Sequence, residues 1–265
     1  MHFVIKKGYQ GKVNYSLVDN KSVFQDKVDF SNKLDDNIII RFPELINIVE
    51  KIDYTVQDDK FTEPINASMK TLVSSWNPFG FISDFFVKNN EKVDRISEER
   101  VLPDDYKIIG LIKGKREFRY IPNQALKKNI EGAKAYKVFI PRANGSGVFG
   151  EVFSTPMLGS PMLGSPMLIC TDTFLQVGQF DNSVEAENLL KYVKTKFFRA
   201  MVGVKKTAVF NYKDAFSFVP IQDFTPKSDI DWSKSIEEVD KQLYKKYNLS
   251  DKEIAFIEEK VRPME

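Results

Sequence analysis

Histidine is almost missing from this chain: the only one is His2. A Ser-His-Asp or Cys-His catalytic arrangement, or a histidine-rich metal site, would have to be built around that residue. Cysteine is equally scarce. Cys170 stands alone, which excludes zinc ribbons and fingers, rules out an intrachain disulfide and makes a reducing cytoplasm the expected setting. No GxxxxGK[ST] or GxGxxG occurs, so the phosphate-cradling loops of nucleotide enzymes are missing. No run approaches the roughly 20 consecutive apolar residues of a membrane span. Over Met1–Val13 charge arrives before any apolar run develops, so no secretory leader is expected.

What is present fits a globular protein. The 265 residues can bury a core as one large domain or two small ones, and 42% hydrophobic with 29% charged residues is ordinary. The net charge of +2 is too small to argue for nucleic acid. Its distribution says more. Lys113, Lys115, Arg116, Arg119, Lys127, Lys128, Lys134, Lys137 and Arg142 face only Glu117 and Glu131 in their segment, whereas Ala143–Leu190 holds no Lys or Arg. Such segregation gives either a directed positive field or solvated loops and helix ends.

Periodicity places the elements. Phe3–Val28 alternates around turn residues and reads as short strands. Ile38–Ile52 runs into a short helix with Pro43 in its first turn, and a second short helix ends near Ser74-Ser75. Tyr106–Ile112 and Glu117–Ile121 read as a hairpin turning at Lys113-Gly114-Lys115. A short helix over Asn123–Asn129, strands at Tyr136–Ile140, Leu168–Val177 and Ala215–Val219, and two C-terminal helices opened by capping boxes (Ser235 with Glu238, Ser250 with Glu253) complete the pattern. That helical pair must dock on the body or on a partner. The expected class is α+β: a mixed sheet with flanking helices and a C-terminal helical pair.

Asp181–Lys206 reads as one amphipathic helix. Ala186, Leu189, Leu190, Val193, Phe197, Ala200, Met201 and Val204 form its apolar stripe, and Asn182 with Glu185 marks its start. After Glu187 every charge is positive. The macrodipole explains the bases at the C-terminal end, but it explains Lys191 and Lys194 in mid-helix less well.

Several motifs invite chemistry. Asn77-Pro78-Phe79 resembles the Asn-Pro-Pro-aromatic tetrad of amino-methyltransferases but lacks the second proline, and reads as a turn with Trp76 and Phe79 packed beneath it. Pro103-Asp104 suggests a PD-(D/E)xK nuclease, yet no acid stands two residues before Lys115. Arg142-Ala143-Asn144-Gly145-Ser146-Gly147 offers Arg and Asn for base edges and small residues for backbone approach to phosphate, or else is a flexible inter-strand turn. A tandem repeat, Pro156–Ser160 and Pro161–Ser165 with Pro166-Met167-Leu168 opening a third copy, reads as an extended loop. It is either a duplication tolerated at the surface or an apolar finger that docks on a partner or wedges between base steps.

Glu185-Ala186-Glu187-Asn188 followed by Tyr192–Arg199, together with Ser74-Ser75, Pro78–Phe81, Tyr136–Ile140, Cys170–Phe174, Phe218–Phe224, Leu243–Tyr247 and Ile254–Glu258, carries a resemblance. From about Asp36 onward the chain resembles the C-terminal target-recognition (specificity) domain of type II restriction–modification adenine-specific DNA methyltransferases, including fused restriction–methylase enzymes. Residues 1–35 resemble the strand pair closing the catalytic domain, 36–225 the recognition domain, and 226–265 a C-terminal helical segment. Trp76-Asn77 stands where members of that family often carry basic residues, and the repeat lengthens a loop that is usually shorter.

The resemblance implies a sequence-specific DNA-recognition module with no catalytic activity alone and no cofactor of its own. S-adenosylmethionine is expected only in a partner or neighbouring catalytic domain. The expected partners are double-stranded DNA and that methyltransferase domain or subunit, with no membrane. The expected contacts are Lys113, Lys115, Arg116, Arg119, Arg142, Asn144, Ser146, Lys191, Lys194, Lys196 and Arg199. The alternatives are a restriction endonuclease or other DNA enzyme with an unrecognised site, and a protein–protein docking module.

Overall fold

A computed structural model describes residues 13–19, 22–28, 43–52, 54–57, 60–64, 68–87, 93–143, 160–206 and 210–264. The strands are β1 (Val13–Asp19), β2 (Ser22–Val28), β3 (Tyr54–Gln57), β4 (Lys60–Pro64), β5 (Tyr106–Ile112), β6 (Lys115–Ile121), β7 (Tyr136–Pro141), β8 (Met162–Gly164), β9 (Leu168–Cys170) and β10 (Phe174–Phe180). The helices are α1 (Pro43–Lys51), α2 (Ile130–Lys134), α3 (Ser183–Lys194), α4 (Lys196–Lys205), α5 (Ile236–Lys246) and α6 (Asp251–Lys260), with 3-10 turns at Met69–Thr71, Asn123–Ala125 and Lys213–Phe216. The fold is α+β. No helix among the described residues is long and apolar enough to cross a membrane.

Two three-stranded sheets form the centre. In one, β5 pairs antiparallel with β6 and parallel with β9; in the other, β7 lies antiparallel between β10 and β8. β1 with β2, and β3 with β4, are separate antiparallel hairpins. The β5–β6 register runs unbroken from Tyr106↔Ile121 to Ile112↔Lys115. Only Lys113 and Gly114 are left to turn, both at positive φ (49° and 78°), as a type I′ hairpin requires.

Three sequence expectations need correction. Leu168–Val177 is two strands: Thr171–Thr173 turns the chain from β9, beside β5, into β10, beside β7. A single strand could not serve both sheets. Ala215–Val219 is no strand; Lys213–Phe216 is a 3-10 turn, and sheet-like pairing is limited to a bridge between Ser68 and Pro220. The helix placed at Asn123–Asn129 is only a 3-10 turn at its start, with α2 beginning at Ile130.

The long helix over Asp181–Lys206 is also two helices, α3 and α4. Asn182 caps α3 as expected, its side chain accepting the Glu185 N–H at 3.0 Å. Thr195 then leaves helical geometry (φ −61°, ψ 151°) and its hydroxyl accepts the Phe198 N–H at 3.1 Å, opening α4. Asp240 on α5 completes that cap: its carboxylate accepts the Lys196 and Phe197 N–H groups, both at 2.9 Å. The apolar stripe survives the break. Ala186, Leu189, Val193, Phe197, Ala200, Met201 and Val204 are all buried.

Apart from Ala186, these residues join α1, β7, β10 and the C-terminal pair in one core, which also holds Val138, Ile140, Val177, Leu243 and Ile257. The helical pair docks on the body, with α5 against α3 and α4, and α6 against α1 and α4. Both capping boxes form. Glu238 accepts the Ser235 N–H at 3.0 Å, and Glu253 accepts the Ser250 N–H at 2.7 Å. Glu253 also meets Lys51 of α1 at 2.6 Å, tying α6 down. A second core, built on Phe79, Phe81 and Phe85 with Ile108, Ile109, Ile169, Phe139 and Phe174, fills the space around the mixed sheet.

Within the repeat, Met162–Gly164 lies on the edge of the β7 sheet, paired with Phe139, Val138 and Lys137. A Cβ at Gly164 would stand 2.7 Å from the Phe139 ring and 2.9 Å from the Lys137 stem. Glycine is what permits this close approach.

Candidate nucleic-acid interface

The turn Thr171–Thr173 brings together two of the expected contacts, Arg116 and Arg142. Lys113 and Lys115 sit exposed at the tip of the β5–β6 hairpin. Arg116 lies 5.2 Å over the Phe174 ring, and its Nη1 donates to the Ser160 carbonyl at 3.1 Å. Burial lowers its pKa from the ordinary arginine value. Phe174 is opposite Pro141, and the Arg142 N–H donates to the Thr173 carbonyl at 2.8 Å. Arg116 on β6 and Arg142 just past the end of β7 therefore flank one turn.

Arg142 is the centre of a further group. Its Nη1 lies 3.6 Å from Asp172 Oδ2, and its guanidinium carbon is 5.3 Å from the centroids of both the Trp76 and Phe210 rings. Trp76 Nε1 donates to the same Asp172 oxygen at 3.2 Å. Asp172 is itself buried, with its backbone N–H on the Phe81 carbonyl at 2.8 Å. Phe210 is held by a bridge to Ala143, and Asn211 by its backbone N–H on the Arg142 carbonyl (2.6 Å) and its Nδ2 on the Pro141 carbonyl (2.7 Å). Tyr212 follows, its ring 6.0 Å from that of Phe210.

The aromatic members stand in solvent: Trp76 is 57% exposed, Phe210 44% and Tyr212 53%. The turn over Asn77-Pro78-Phe79 thus divides its aromatics. Phe79 is buried as expected, whereas Trp76 is not packed beneath the turn but projects outward. Positive φ at Asn77 (57°) and Gly80 (88°) produces this, and Lys128 fixes the loop by donating to the Asn77 carbonyl at 2.8 Å.

The remaining expected contacts fall elsewhere. Arg119 lies farther along β6, half-buried and ion-paired with Glu117 (2.8 Å) and Glu98 (3.3 Å). Asn144 and Ser146 are outside the described residues. The helical set does not form one outward basic face. Lys191 Nζ donates to the Trp232 and Lys234 carbonyls at 2.5 and 2.7 Å, and Lys196 pairs with Glu258 on α6. Both hold the C-terminal segment to the body. Lys194 is half-buried at the end of α3.

Arg199 departs furthest from expectation, because it is 0% exposed and so offers nothing to a DNA backbone. Its Nε donates to the Thr195 carbonyl at 3.1 Å, while both Nη atoms are buried with no hydrogen-bond partner among the described residues. Burial pulls its pKa down to about 10, partly opposed by Asp240. Burial conversely pushes the Asp240 carboxyl up to about 6, against the two backbone N–H groups it accepts. Lys137, counted among the basic residues of its segment, is likewise interior.

Sequence reasoning missed Trp76, Asp172, Phe210 and Tyr212 as parts of a site. Their one signal was an exposed-loop setting for aromatic residues beside Arg142, which required the fold to bring them together. For the nuclease alternative, Glu117 is engaged with Arg119 and Asp104 is exposed, and among the described residues no group of three or more His, Cys, Asp or Glu is placed to hold a metal. Comparison with family models, with curated proteins and with solved structures finds no match to this chain.

Proposed function

We propose that this chain is the DNA-recognition module of a type II restriction–modification adenine methyltransferase. It would work in the cytoplasm with a methyltransferase domain or subunit that supplies S-adenosylmethionine and the chemistry. The phrases from Ser74 to Glu258 that resemble the specificity domain motivate this reading. One observation carries it: the arginines Arg116 and Arg142 flank one turn beside exposed aromatic rings, and Arg116 directly follows the exposed Lys113–Lys115 tip. Lysines at a mobile-length side chain's reach suit phosphate, and arginines among aromatics suit bases.

Duplex binding measured against salt tests the reading. Neutralising Lys113 and Lys115 together (K113Q/K115Q) should weaken binding to every sequence and reduce the log–log salt slope by about 2. Absence of duplex binding by the wild-type chain at low salt, combined with capture of a methyltransferase domain, would favour the docking module instead. Metal-dependent cleavage abolished by changing Asp104 or Glu117 would make the chain a nuclease.

A further inference from the structure

Trp76 presents an unusual combination: a large exposed ring whose single polar atom is already satisfied inside the fold. Because its N–H is spent on buried Asp172, the 57% of the residue left in solvent is essentially hydrocarbon. That bond also holds the ring in place, so little side-chain freedom remains to be lost when a ligand arrives. Phe210 is likewise anchored through the Ala143 bridge, and Tyr212 extends the same exposed face. Two fixed apolar rings on either contact of one guanidinium form a platform rather than scattered surface residues.

Its charge narrows the occupant. Arg142 has its countercharge in Asp172 at 3.6 Å and lies against both rings, so the platform is close to neutral and makes a poor phosphate anchor. Exposed positive charge stands on Lys113 and Lys115 at the hairpin tip, whose neighbour Arg116 lies over Phe174 at the end of the turn that holds Asp172. A flat, uncharged group attached to a polyanion matches this arrangement. Bases inside a duplex bury their faces on each other, so the matching group is a base out of its stack.

We propose that the Trp76–Arg142–Phe210 platform, with Tyr212, stacks on an unpaired nucleobase. This rests on the DNA-recognition reading and changes the part played by Arg142, from a reader of base edges in the groove to a member of a stacking surface. Recognition then has two components: backbone contact at the hairpin tip, and capture of a base exposed by a bulge, mismatch or local opening.

The chain carries its own probe. Trp76 and Trp232 are its two tryptophans, and Trp232 is 6% exposed with its N–H on the Asp223 carbonyl. Fluorescence of the full chain should be titrated with a duplex containing one unpaired adenine, with the same duplex fully paired, and with a proline-rich peptide. The bulged duplex should bind about tenfold more tightly than the paired one and quench the exposed tryptophan. Trp76→Phe should abolish the quench, and Phe210→Ala should narrow the tenfold ratio.

Equal affinity for both duplexes, or a preference without change at Trp76, would overturn the stacking site while leaving salt-dependent duplex binding intact. Failure of both duplexes to bind would overturn the DNA reading and this inference together. Quenching by the peptide in preference to the nucleic acids would assign the platform to a protein partner. The wild-type titration decides among these outcomes even if a variant fails to fold.

Discussion

Replacing Lys137 with Met should flatten the rise in stability that the wild-type protein shows on going from neutral to alkaline pH. The Lys137 side chain is 0% exposed, and its ammonium donates to the carbonyls of Ala133 and Ala135 at 3.0 and 2.9 Å. Both partners are neutral and lie at the C-terminal end of α2. Burial therefore dominates and pulls the pKa from 10.5 down to about 7. In that window the unfolded chain holds a proton that the folded chain has released, so stability increases with pH and levels off above the unfolded pKa. Between about pH 7 and about pH 9 the increment from this residue is about 2 kcal/mol.

Methionine keeps most of the stem, removes the titration and takes the donor from the Ala135 carbonyl, at a cost of about 1–3 kcal/mol, while the Ala133 carbonyl keeps the Met167 N–H at 2.9 Å. Relative to the variant, wild type should therefore gain about 2 kcal/mol between about pH 7 and about pH 9. Urea unfolding of both proteins across this range measures the difference. Other titrations cancel in the comparison, including that of Lys206, which burial lowers to about 8. Parallel pH profiles for the two proteins would refute the burial of an unpaired charge at this position.

Other perturbations separate structural charges from binding charges. Thr195→Ala removes the hydroxyl that caps α4 and should cost about 1–2 kcal/mol by chemical denaturation; an unchanged midpoint would argue for a continuous helix. Glu253→Ala removes the capping-box carboxylate and the partner of Lys51, and should cost about 1–2 kcal/mol near neutral pH. Although burial of Glu253 opposes it, the Lys51 and Ser250 hydrogen bonds hold its pKa below the ordinary value. Its contribution should therefore be present above the ordinary glutamate range and fade as pH falls through it, which a denaturation series in acid would detect. Arg199→Met should alter stability yet leave the salt slope of duplex binding unchanged; a slope reduced by about 1 would place Arg199 on the DNA.

The sequence made some of this legible and hid the rest for identifiable reasons. The C-terminal helices were readable because Ser235–Glu238 and Ser250–Glu253 are local signals, formed within one turn. The hairpin was readable because Gly114 supplies a conformation that the turn demands. The break at Thr195 was not. The apolar stripe runs through it at undisturbed spacing, and the carboxylate that stabilises it comes from Asp240, 44 residues beyond Lys196. Leu168–Val177 misled in a similar manner, since Thr171-Asp172-Thr173 interrupts an apolar run that feeds two sheets. Ala215–Val219 has the alternation of a strand, but only Pro220 finds a bridge, to Ser68.

The candidate site divides along the same line. Basic residues can be counted in a sequence, but whether each charge faces solvent depends on what lies opposite. Lys113 and Lys115 had only a turn around them and remained exposed. Lys191 and Lys196 met carbonyls and a carboxylate supplied by the C-terminal segment. The aromatic platform required Trp76, Arg142 and Phe210 to meet across 134 positions of chain, from 76 to 210. No local spacing could announce it.

The tandem repeat gives β8 an unusual kind of redundancy. Met162-Leu163-Gly164 lies against β7, and the preceding copy, Met157-Leu158-Gly159, has the same three residues in the same order. Removing one five-residue unit from the gene would still leave a methionine for Phe139, a leucine for Val138 and the glycine that Lys137 and Phe139 require. The change in length would fall on the stretch between Ala143 and β8, and the entropy of closing a chain segment depends weakly on its length. Copy number can therefore drift by whole units while the sheet edge keeps its composition.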